Sequence, residues 1–475
     1  MKDNLSDQQK EYISKAYVIE PDKADGWFYI HLEGKPYEIG FQHGYLLADA
    51  LKEGFRVNEF GVKWDTGEDL QFFADAAERM WMDTMSNEYL DEMQGIADGA
   101  TKAGFPVSLK EIIAWNGLEE LTSYWWPLKL GQTKGPLITR SSGGRCSAFI
   151  ATGEVTEHGK TVIAHETWCT YLAGASMNVI LDIKPENGHR FIMQGQVGHI
   201  DSATDFYIND AGIMVTETTI GGGFAGYDET KMPEFYRSRK ATQYADSIDH
   251  WISIMGEQNS GGIANSWLLG TTYSNEIARF ELGLKYSNVE KKTCGAFYGF
   301  NVATDPKIRN QECGNTGLYY DIRDSGARRV RWVQLIGNLD VVDPAQYKKD
   351  GKYYGEVNVE NAKEMLGDHH DVYLEQQNIE GFKDHPCGHT ICSHLDLDPA
   401  NPLNHADQPP FYPWGSTDGK VSDADLAADM QLWARRGHPC GTPFCADSFL
   451  KKHPQYNWLE GYLVDMPKVC WHLFK

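Results

Sequence analysis

The chain has 475 residues, of which 41% are hydrophobic and 23% charged, and 67 acidic against 44 basic residues give a net charge of −23. This acidity argues against a nucleic-acid partner, because binding phosphates requires clustered Lys and Arg. No apolar run approaches the roughly 18 residues of a membrane-spanning helix, so no membrane span is expected. The opening residues, MKDNLSDQQKEYISK, have no signal-peptide core. We therefore expect either a cytoplasmic protein or, by slight preference, the mature form of an exported one (periplasmic, extracellular or lysosome-like).

The first part of the chain, to about residue 130, is predicted to be mostly helical. Apolar residues recur at helical spacing in GKPYEIGFQHGYLLADALKEG and in a long amphipathic stretch that ends at Gly104. Ser108 and Glu111 have the spacing of a capping box at the start of another helix.

Beyond the glycines at 143 and 144 the pattern changes to that of short strands. Asn187-Gly188 predicts the turn of one hairpin, and the segment from Asn209 to Gly212 predicts another. Helices are expected again over 232–258 and from a cap at Ser422 to Gly437, with strands between them. Antiparallel hairpins covered by helices predict a layered α+β fold.

Nine cysteines are present, so at least one cannot form a disulfide within the chain. CGHTIC and CGTPFC are both C-x4-C loops and would be disulfide candidates in an exported protein. A nearby stretch collects seven metal-binding side chains: His369, His370, His385, Cys387, His389, Cys392 and His394. Their spacing matches no common zinc finger, so a disulfide or a plain loop is expected and no metal or other cofactor is predicted.

Cys146 stands out because it follows two glycines and opens an apolar strand, SAFIA. A buried structural cysteine is one interpretation of this pattern. The other is a nucleophile that becomes a new chain terminus, whose own α-amine, with a pKa near 8, serves as the base. Glycines before it would let the strained peptide bond bend toward the thiol.

Several motifs in order along the chain resemble those of self-processing N-terminal-nucleophile (Ntn) hydrolases. Within this group the chain resembles the penicillin-acyltransferase-like C45 peptidases and the phospholipase B-like proteins. The motifs are LEGKPYEIGFQHGYLLA, GGRCSAFIA, GKTVIAHETW, DFYINDAGIMVTETTI, ANSWLLG and WGSTDGKVSDADLA.

The resemblance implies a four-layer αββα sandwich with two stacked antiparallel sheets. It also implies autocatalytic cleavage between Arg145 and Cys146. Residues 1–145 would be a helical propeptide or small chain, and 146–475 the catalytic chain, one compact domain. The small chain is expected to stay bound after cleavage, because it carries much apolar surface. Assembly into a homo-oligomer is left open.

The resemblance also implies roles for individual residues. Cys146 would attack an acyl carbon, and His165 would orient the amine or take a proton; otherwise His165 is an ordinary strand-end histidine. Thr167 stands where many relatives have an aspartate, a departure that matches the phospholipase B-like variant. Asn265 would donate to the oxyanion, unless it is a turn asparagine that caps a strand.

Three further residues are expected on the substrate side of the site. Trp168 ends the loop that follows the processing strand. Thr218 would line the pocket, unless it is simply a strand threonine. Glu217 is the weaker candidate, because adjacent strand residues face opposite sides of a sheet.

The leading hypothesis is a cysteine Ntn hydrolase or acyltransferase that cleaves a linear amide bond of a small acyl substrate. Phospholipase B-like cleavage of acyl esters is the alternative within enzymes, because a thiolate can attack either bond. A non-catalytic metal- or ligand-binding protein is the alternative of another class, based on the His- and Cys-rich loops.

Overall fold

In the computed structural model, helices give way to strands near residue 145, as the sequence pattern predicts. The structure describes residues 5–134, 145–221, 226–314, 316–341, 344–380, 390–397 and 413–475. The α-helices of the described residues are α1 (Asp7–Ser14), α2 (Pro36–Leu46), α3 (Ala48–Thr66), α4 (Leu70–Trp81), α5 (Asn87–Ala103), α6 (Leu109–Asn116), α7 (Trp126–Lys134), α8 (Tyr171–Gly174), α9 (Glu234–Tyr244), α10 (Ile248–Gly256), α11 (Thr316–Tyr320), α12 (Gly326–Ile336), α13 (Val359–Leu366), α14 (Ala424–Ala428) and α15 (Ala446–Lys452).

The strands in the same ranges are β1 (Tyr17–Ile19), β2 (Phe28–Gly34), β3 (Arg145–Thr152), β4 (Val162–Thr170), β5 (Val179–Pro185), β6 (Phe191–Gly195), β7 (Phe206–Asn209), β8 (Ile213–Thr219), β9 (Asn265–Thr271), β10 (Ile277–Leu282), β11 (Ser287–Lys292), β12 (Gly295–Gly299), β13 (His370–Asp371), β14 (Gln376–Gln377), β15 (Trp414–Ser416), β16 (Asp418–Asp423), β17 (Leu432–Arg436) and β18 (His472–Phe474). None of the helices in the described ranges is both long and apolar enough to cross a lipid bilayer.

The chain forms two compact units, each assembled from separate stretches. The first unit comprises the described residues within Met1–Ser141, Ala175–Ile213 and Phe224–Ile263. The second comprises those within Ser142–Gly174, Met214–Gly223 and Ala264–Lys475. The cleaved small and catalytic chains expected from the sequence stay a prediction.

In the first unit, strands pair in the order β1-β2-β5-β6-β7. The β5–β6 hairpin turns at Gly188, which has a positive φ of 84°, as the Asn-Gly pair predicts. The β2–β5 pair is parallel, whereas the β1–β2, β5–β6 and β6–β7 pairs are antiparallel. A parallel pair needs a long connection, and about 140 residues separate these two strands in the chain.

Helices α2 and α5 of the first unit pack at backbone contact. A Cβ atom at Gly40 would lie 1.8 Å from the carbonyl oxygen of Glu92, and one at Gly44 would lie 2.0 Å from that of Ile96. Gly99 makes the reciprocal approach to Phe41. Residues four apart on each helix face the partner, so the four-residue spacing of the glycines produces one continuous close contact.

In the described residues of the second unit, a seven-stranded sheet has the order β12-β3-β4-β16-β17-β18, with β15 paired to β4. Strands β8 to β11 form a further run, and β9 and β10 lie against β3 and β12. Phe149 and Ala151 pack with Trp332 of α12 and Met365 of α13 on the other face. The α+β sandwich with stacked antiparallel sheets is therefore confirmed.

The stretch from Ser422 to Gly437 differs from its prediction as one helix. Helix α14 is short, and its cap is Asp423, whose side chain accepts from the Leu426 N–H. The residues after it form β17, paired with β16 and β18. Sheet pairing on both sides outweighs the helical propensity of this segment, and Gly437 ends a strand.

Candidate active site

The pairing of β3 with β4 brings the predicted nucleophile and its neighbours together. Cys146 lies opposite Thr167, and Ala148 lies opposite His165. Because Phe149 and Ala151 face the helices, Cys146 and Ala148 project from the opposite face of the sheet, the side on which β9 lies. Cys146 is 5% exposed, so its thiol lies just below the surface of the protein.

Three groups that can exchange protons meet at the thiol. The Cys146 Sγ, a ring nitrogen of His165 and a carboxylate oxygen of Glu217 all lie within 4.8 Å of one another. His165 and Glu217 are both buried. Glu217 on β8, which the sequence ranked lower, is therefore the residue whose carboxyl group lies beside the predicted nucleophile.

Burial determines the protonation state of His165. Removal of the ring from water, together with the nearby Lys420 ammonium, lowers the pKa of His165 well below its usual value. At neutral pH the imidazole is therefore uncharged, and the same surroundings disfavour its protonation.

Two side chains fix the main chain of Cys146: Asn301, which follows β12, and Arg328, which lies on α12. The Cys146 N–H donates to Asn301 Oδ1 at 2.9 Å, and the Arg328 guanidinium donates to the Cys146 carbonyl. Arg328 also donates to Asn301 Oδ1 at 2.8 Å. Asn301 has a left-handed backbone with a φ of 64°, a conformation that Asn tolerates better than most residues. One amide oxygen thus accepts from both the nucleophile's nitrogen and a buried cation.

Trp168 lies under this arrangement and is fully buried. The guanidinium carbon of Arg328 lies 4.5 Å from the centroid of the indole, and Trp414 packs edge-on at 5.7 Å. A guanidinium stacked on an aromatic face loses less orientational freedom when it donates hydrogen bonds. In this structure Trp168 contacts the positioning residue Arg328, while its expected contact with substrate stays a prediction.

Thr167 is part of a buried polar network. Many relatives are expected to have an aspartate at this position, and here the network contains the carboxylate of Asp418. Lys420 Nζ donates to Thr167 Oγ1 at 2.8 Å and to Asp418 Oδ1 at 2.6 Å. The Thr167 N–H donates to the same Asp418 oxygen at 3.1 Å. The charges of Lys420 and Asp418 compensate each other, which allows both to be buried. The ammonium that depresses the His165 pKa is held by this network.

Asn265 begins β9 and is completely buried. With its amide oriented so that nitrogen faces acceptors, it donates to Glu217 Oε2 at 2.8 Å and to the Ala264 carbonyl at 3.0 Å. Asn265 is thus linked through Glu217 to the thiol. Thr218 is buried, and a Cβ at Gly299 would lie 2.4 Å from its methyl group; its place in the pocket lining stays a prediction.

The structure adds four residues that the sequence analysis missed: Asn301, Arg328, Asp418 and Lys420. All lie far from Cys146 in the chain: strand pairing brings Asp418 and Lys420 close, and Asn301 and Arg328 approach from the end of β12 and from α12. The WGSTDGKVSDADLA motif contains Asp418 and Lys420, so that motif marked their segment without revealing their role. The main chain of Arg145 is described as the first residue of β3, whereas the preceding glycines lie outside the described residues.

A family model described as Phospholipase B matches residues 75–281, a range that includes Cys146, His165, Glu217 and Asn265. The chain is similar to phospholipase B-like proteins over this range. This confirms the resemblance inferred from the sequence, since that family falls within the Ntn hydrolases.

Individual relatives cover the chain to different extents. Phospholipase B-like 1 of Homo sapiens is 25% identical over 449 residues, which is 84% of this chain and 74% of that protein. Phospholipase B of Crotalus adamanteus is 25% identical over 68% of this chain and 57% of its own length. An uncharacterized protein of Archaeoglobus fulgidus is 24% identical over 50% and 40%, respectively. The chain therefore spans about half the length of the latter two relatives.

Proposed function

We propose that this phospholipase B-like chain is a cysteine Ntn hydrolase, activated by cutting its own Arg145–Cys146 bond, that cleaves a linear amide through an acyl-enzyme. The observation that carries the proposal is the pair of environments around Cys146. Its nitrogen faces the Asn301 oxygen at 2.9 Å, while its thiol lies with His165 and Glu217. One residue thus has both a positioned nucleophile and a positioned future base.

In the first step the Cys146 sulfur attacks the carbonyl carbon of Arg145. A C–S bond forms, the peptide C–N bond breaks, and the nitrogen of Cys146 takes a proton to become an α-amine. The thiol proton leaves to the Glu217 carboxylate, or to the His165 ring, whose lowered pKa makes it the weaker acceptor; both groups lie within 4.8 Å of the sulfur. Water then hydrolyses the thioester, leaving a carboxylate on Arg145 and a free thiol on Cys146.

In the mature enzyme the new α-amine replaces the peptide nitrogen beside Asn301. It accepts the thiol proton as the sulfur attacks the acyl carbon of the substrate, and it returns that proton to the leaving amine. Asn265 lies next to Glu217, and its amide nitrogen would exchange one of its two donations, to Glu217 Oε2 or to the Ala264 carbonyl, for a donation to the developing oxyanion. A second water releases the acid; an incoming amine would give acyl transfer.

The pairing of β2 with β5 supports retention of the small chain after cleavage. Residues from Phe28 to Gly34 pair with Val179 to Pro185 within the first unit. The two stretches would belong to different chains once the bond before Cys146 is cut. Backbone hydrogen bonds and a buried apolar interface would then hold the chains together.

Cleavage of an acyl ester is the second candidate function, and it corresponds to the phospholipase B names of two relatives. The same thiol, base and oxyanion donor would act on an ester carbonyl. Paired substrates with one acyl group and either an amide or an ester leaving group separate the two. Suitable substrates to screen are N-acyl amino acids, bile-acid amides, penicillins and lysophospholipids.

Mass spectrometry of the intact protein tests the proposal directly. The native chain should give two fragments that meet between Arg145 and Cys146, and Cys146→Ala should stay whole and inactive. Cys313→Ala is the matched control, because Cys313 is also buried and its pKa is raised to about 12 by burial, which makes it unreactive. Cleavage or hydrolysis that persists in Cys146→Ala would assign the nucleophile elsewhere.

A further inference from the structure

A second group of reactive side chains lies in the second unit and takes no part in the proposed chemistry. Its donor atoms, two nitrogens and two sulfurs, all lie within 4.8 Å of one another. We call it the Cys2His2 cluster, and its members are His369, Cys392, His394 and Cys440. His369, Cys392 and His394 are buried, and Cys440 is partly exposed. The sequence analysis considered the first three of these residues but not Cys440.

The spacing of the donor atoms matches a tetrahedral ion. With zinc–sulfur bonds near 2.3 Å and zinc–nitrogen bonds near 2.0 Å, the ligand atoms of a tetrahedral site lie about 3.3 to 3.8 Å apart. His394 Nε2 lies 3.3 Å from the Cys440 Sγ and 3.7 Å from the Cys392 Sγ. Neither ring nitrogen of His369 makes a hydrogen bond of normal geometry within the described residues.

The main chain around the cluster is built for close approach. A Cβ at Gly367 would lie 3.0 Å from the Cα of Cys440, so glycine lets the two loops meet. The Cys392 N–H donates to the Asp368 carbonyl at 3.1 Å, which ties the loops of two ligands together. The Thr442 N–H points at the Cys440 sulfur at 3.4 Å, an interaction that stabilises a thiolate.

A neighbouring triad, His394, Asp396 and His438, competes for His394. Both ring nitrogens of His438 are already engaged, one 2.6 Å from the Thr442 carbonyl and the other 2.9 Å from the Tyr171 hydroxyl. That hydroxyl also donates to Asp396. These contacts favour the Cys2His2 cluster as the ligand set, with His438 packed beside His394 at 3.9 Å between ring centroids.

We propose that the Cys2His2 cluster binds one structural zinc ion. Each thiol releases one proton on binding, so Zn²⁺ and two thiols give a neutral Zn(thiolate)₂ unit and two protons. A neutral unit suits burial, because no uncompensated charge is left away from water. Four protein ligands leave no open position, which is typical of a structural site rather than a catalytic one. The ion would join segments that are distant in the chain.

The metal content of the purified full chain is the first test. Elemental analysis should find one zinc per chain, and Cys440→Ser and His369→Gln should lose most of it. Cys313→Ser is the control, because it removes a buried cysteine outside the cluster and should keep the full zinc content. Chelation should expose Cys392 and Cys440 to alkylation, with two protons taken up per zinc released.

Cobalt substitution covers the case in which the variants fail to fold. Cobalt exchanged into the native chain should give the intense visible bands of tetrahedral coordination with thiolate charge transfer. Zinc far below one per chain, or zinc unchanged in both ligand variants, would overturn the proposal. So would a disulfide between Cys392 and Cys440, seen by mass spectrometry as the loss of two hydrogens. Because Cys146 is not a ligand, Cys146→Ala should keep its zinc, which separates this test from that of the proposed function.

Discussion

The contacts of Asn301 predict a graded loss of stability when its side chain is changed. Asn301 Nδ2 donates to the Thr219 carbonyl at 2.7 Å, and Oδ1 accepts from the Cys146 N–H and from Arg328. A neutral hydrogen bond contributes about 1 kcal/mol and one to a charged group about 2 kcal/mol. Asn301→Gly, which loses all three, should therefore unfold about 4 kcal/mol more easily. Asn301→Ala should be about 1 kcal/mol worse than Asn301→Gly, because Ala strains the left-handed backbone.

Asn301→Asp provides the conservative comparison. It keeps an oxygen for Cys146 and Arg328 and loses only the donation to Thr219, so its loss should be smaller than that of Asn301→Gly. Guanidinium unfolding followed by tryptophan fluorescence measures the differences, with Cys146→Ala as the common background so that every variant stays one chain. Equal stabilities for Asn301→Gly and the parent would refute the contribution of the hydrogen bonds. An Asn301→Ala variant as stable as Asn301→Gly would refute the backbone argument.

Three other perturbations have defined outcomes. Lys420→Met leaves Asp418 buried without its cation and should lower the free energy of unfolding by about 3–5 kcal/mol in the same assay. Adding Asp418→Asn should restore part of this loss, and no recovery would contradict the pairing of the two charges. Burial lowers the pKa of His43 to about 3. Below pH 6.5 the unfolded chain therefore binds a proton on His43 that the folded chain does not bind, and the free energy of unfolding should fall by about 2 kcal/mol between pH 7 and pH 5. His43→Gln should flatten that slope, and an unchanged slope would argue against a neutral His43. Gly40→Ala should cost about 3 kcal/mol by forcing α2 from α5, whereas Gly317→Ala, with open space around it, should be neutral or slightly stabilising in thermal melts.

Local patterns predicted those parts of the fold that depend on neighbouring residues. The Ser108–Glu111 capping box and the Asn187-Gly188 turn are both present. The prediction of one helix from Ser422 to Gly437 was wrong, because strand pairing on both sides determines β17 and no local pattern reveals that pairing.

In the candidate site, too, local sequence reveals some residues, and only the tertiary fold brings the others close. Cys146 is conspicuous in the sequence because glycines precede it and a strand follows it. Arg328 lies 182 positions further along the chain and contacts Cys146 because α12 packs on the sheet. Cys440 escaped the metal candidates for a similar reason, since 46 positions separate it from His394.

The parallel pairing of β2 with β5 has a consequence for how the protein would survive heat. Before cleavage the two strands belong to one chain, so refolding is unimolecular and independent of concentration. After cleavage at Cys146 the same two strands would come from separate molecules that must find each other again. Activation would then make unfolding in effect irreversible at low concentration, and the working lifetime of the mature enzyme would depend on how slowly its two chains separate.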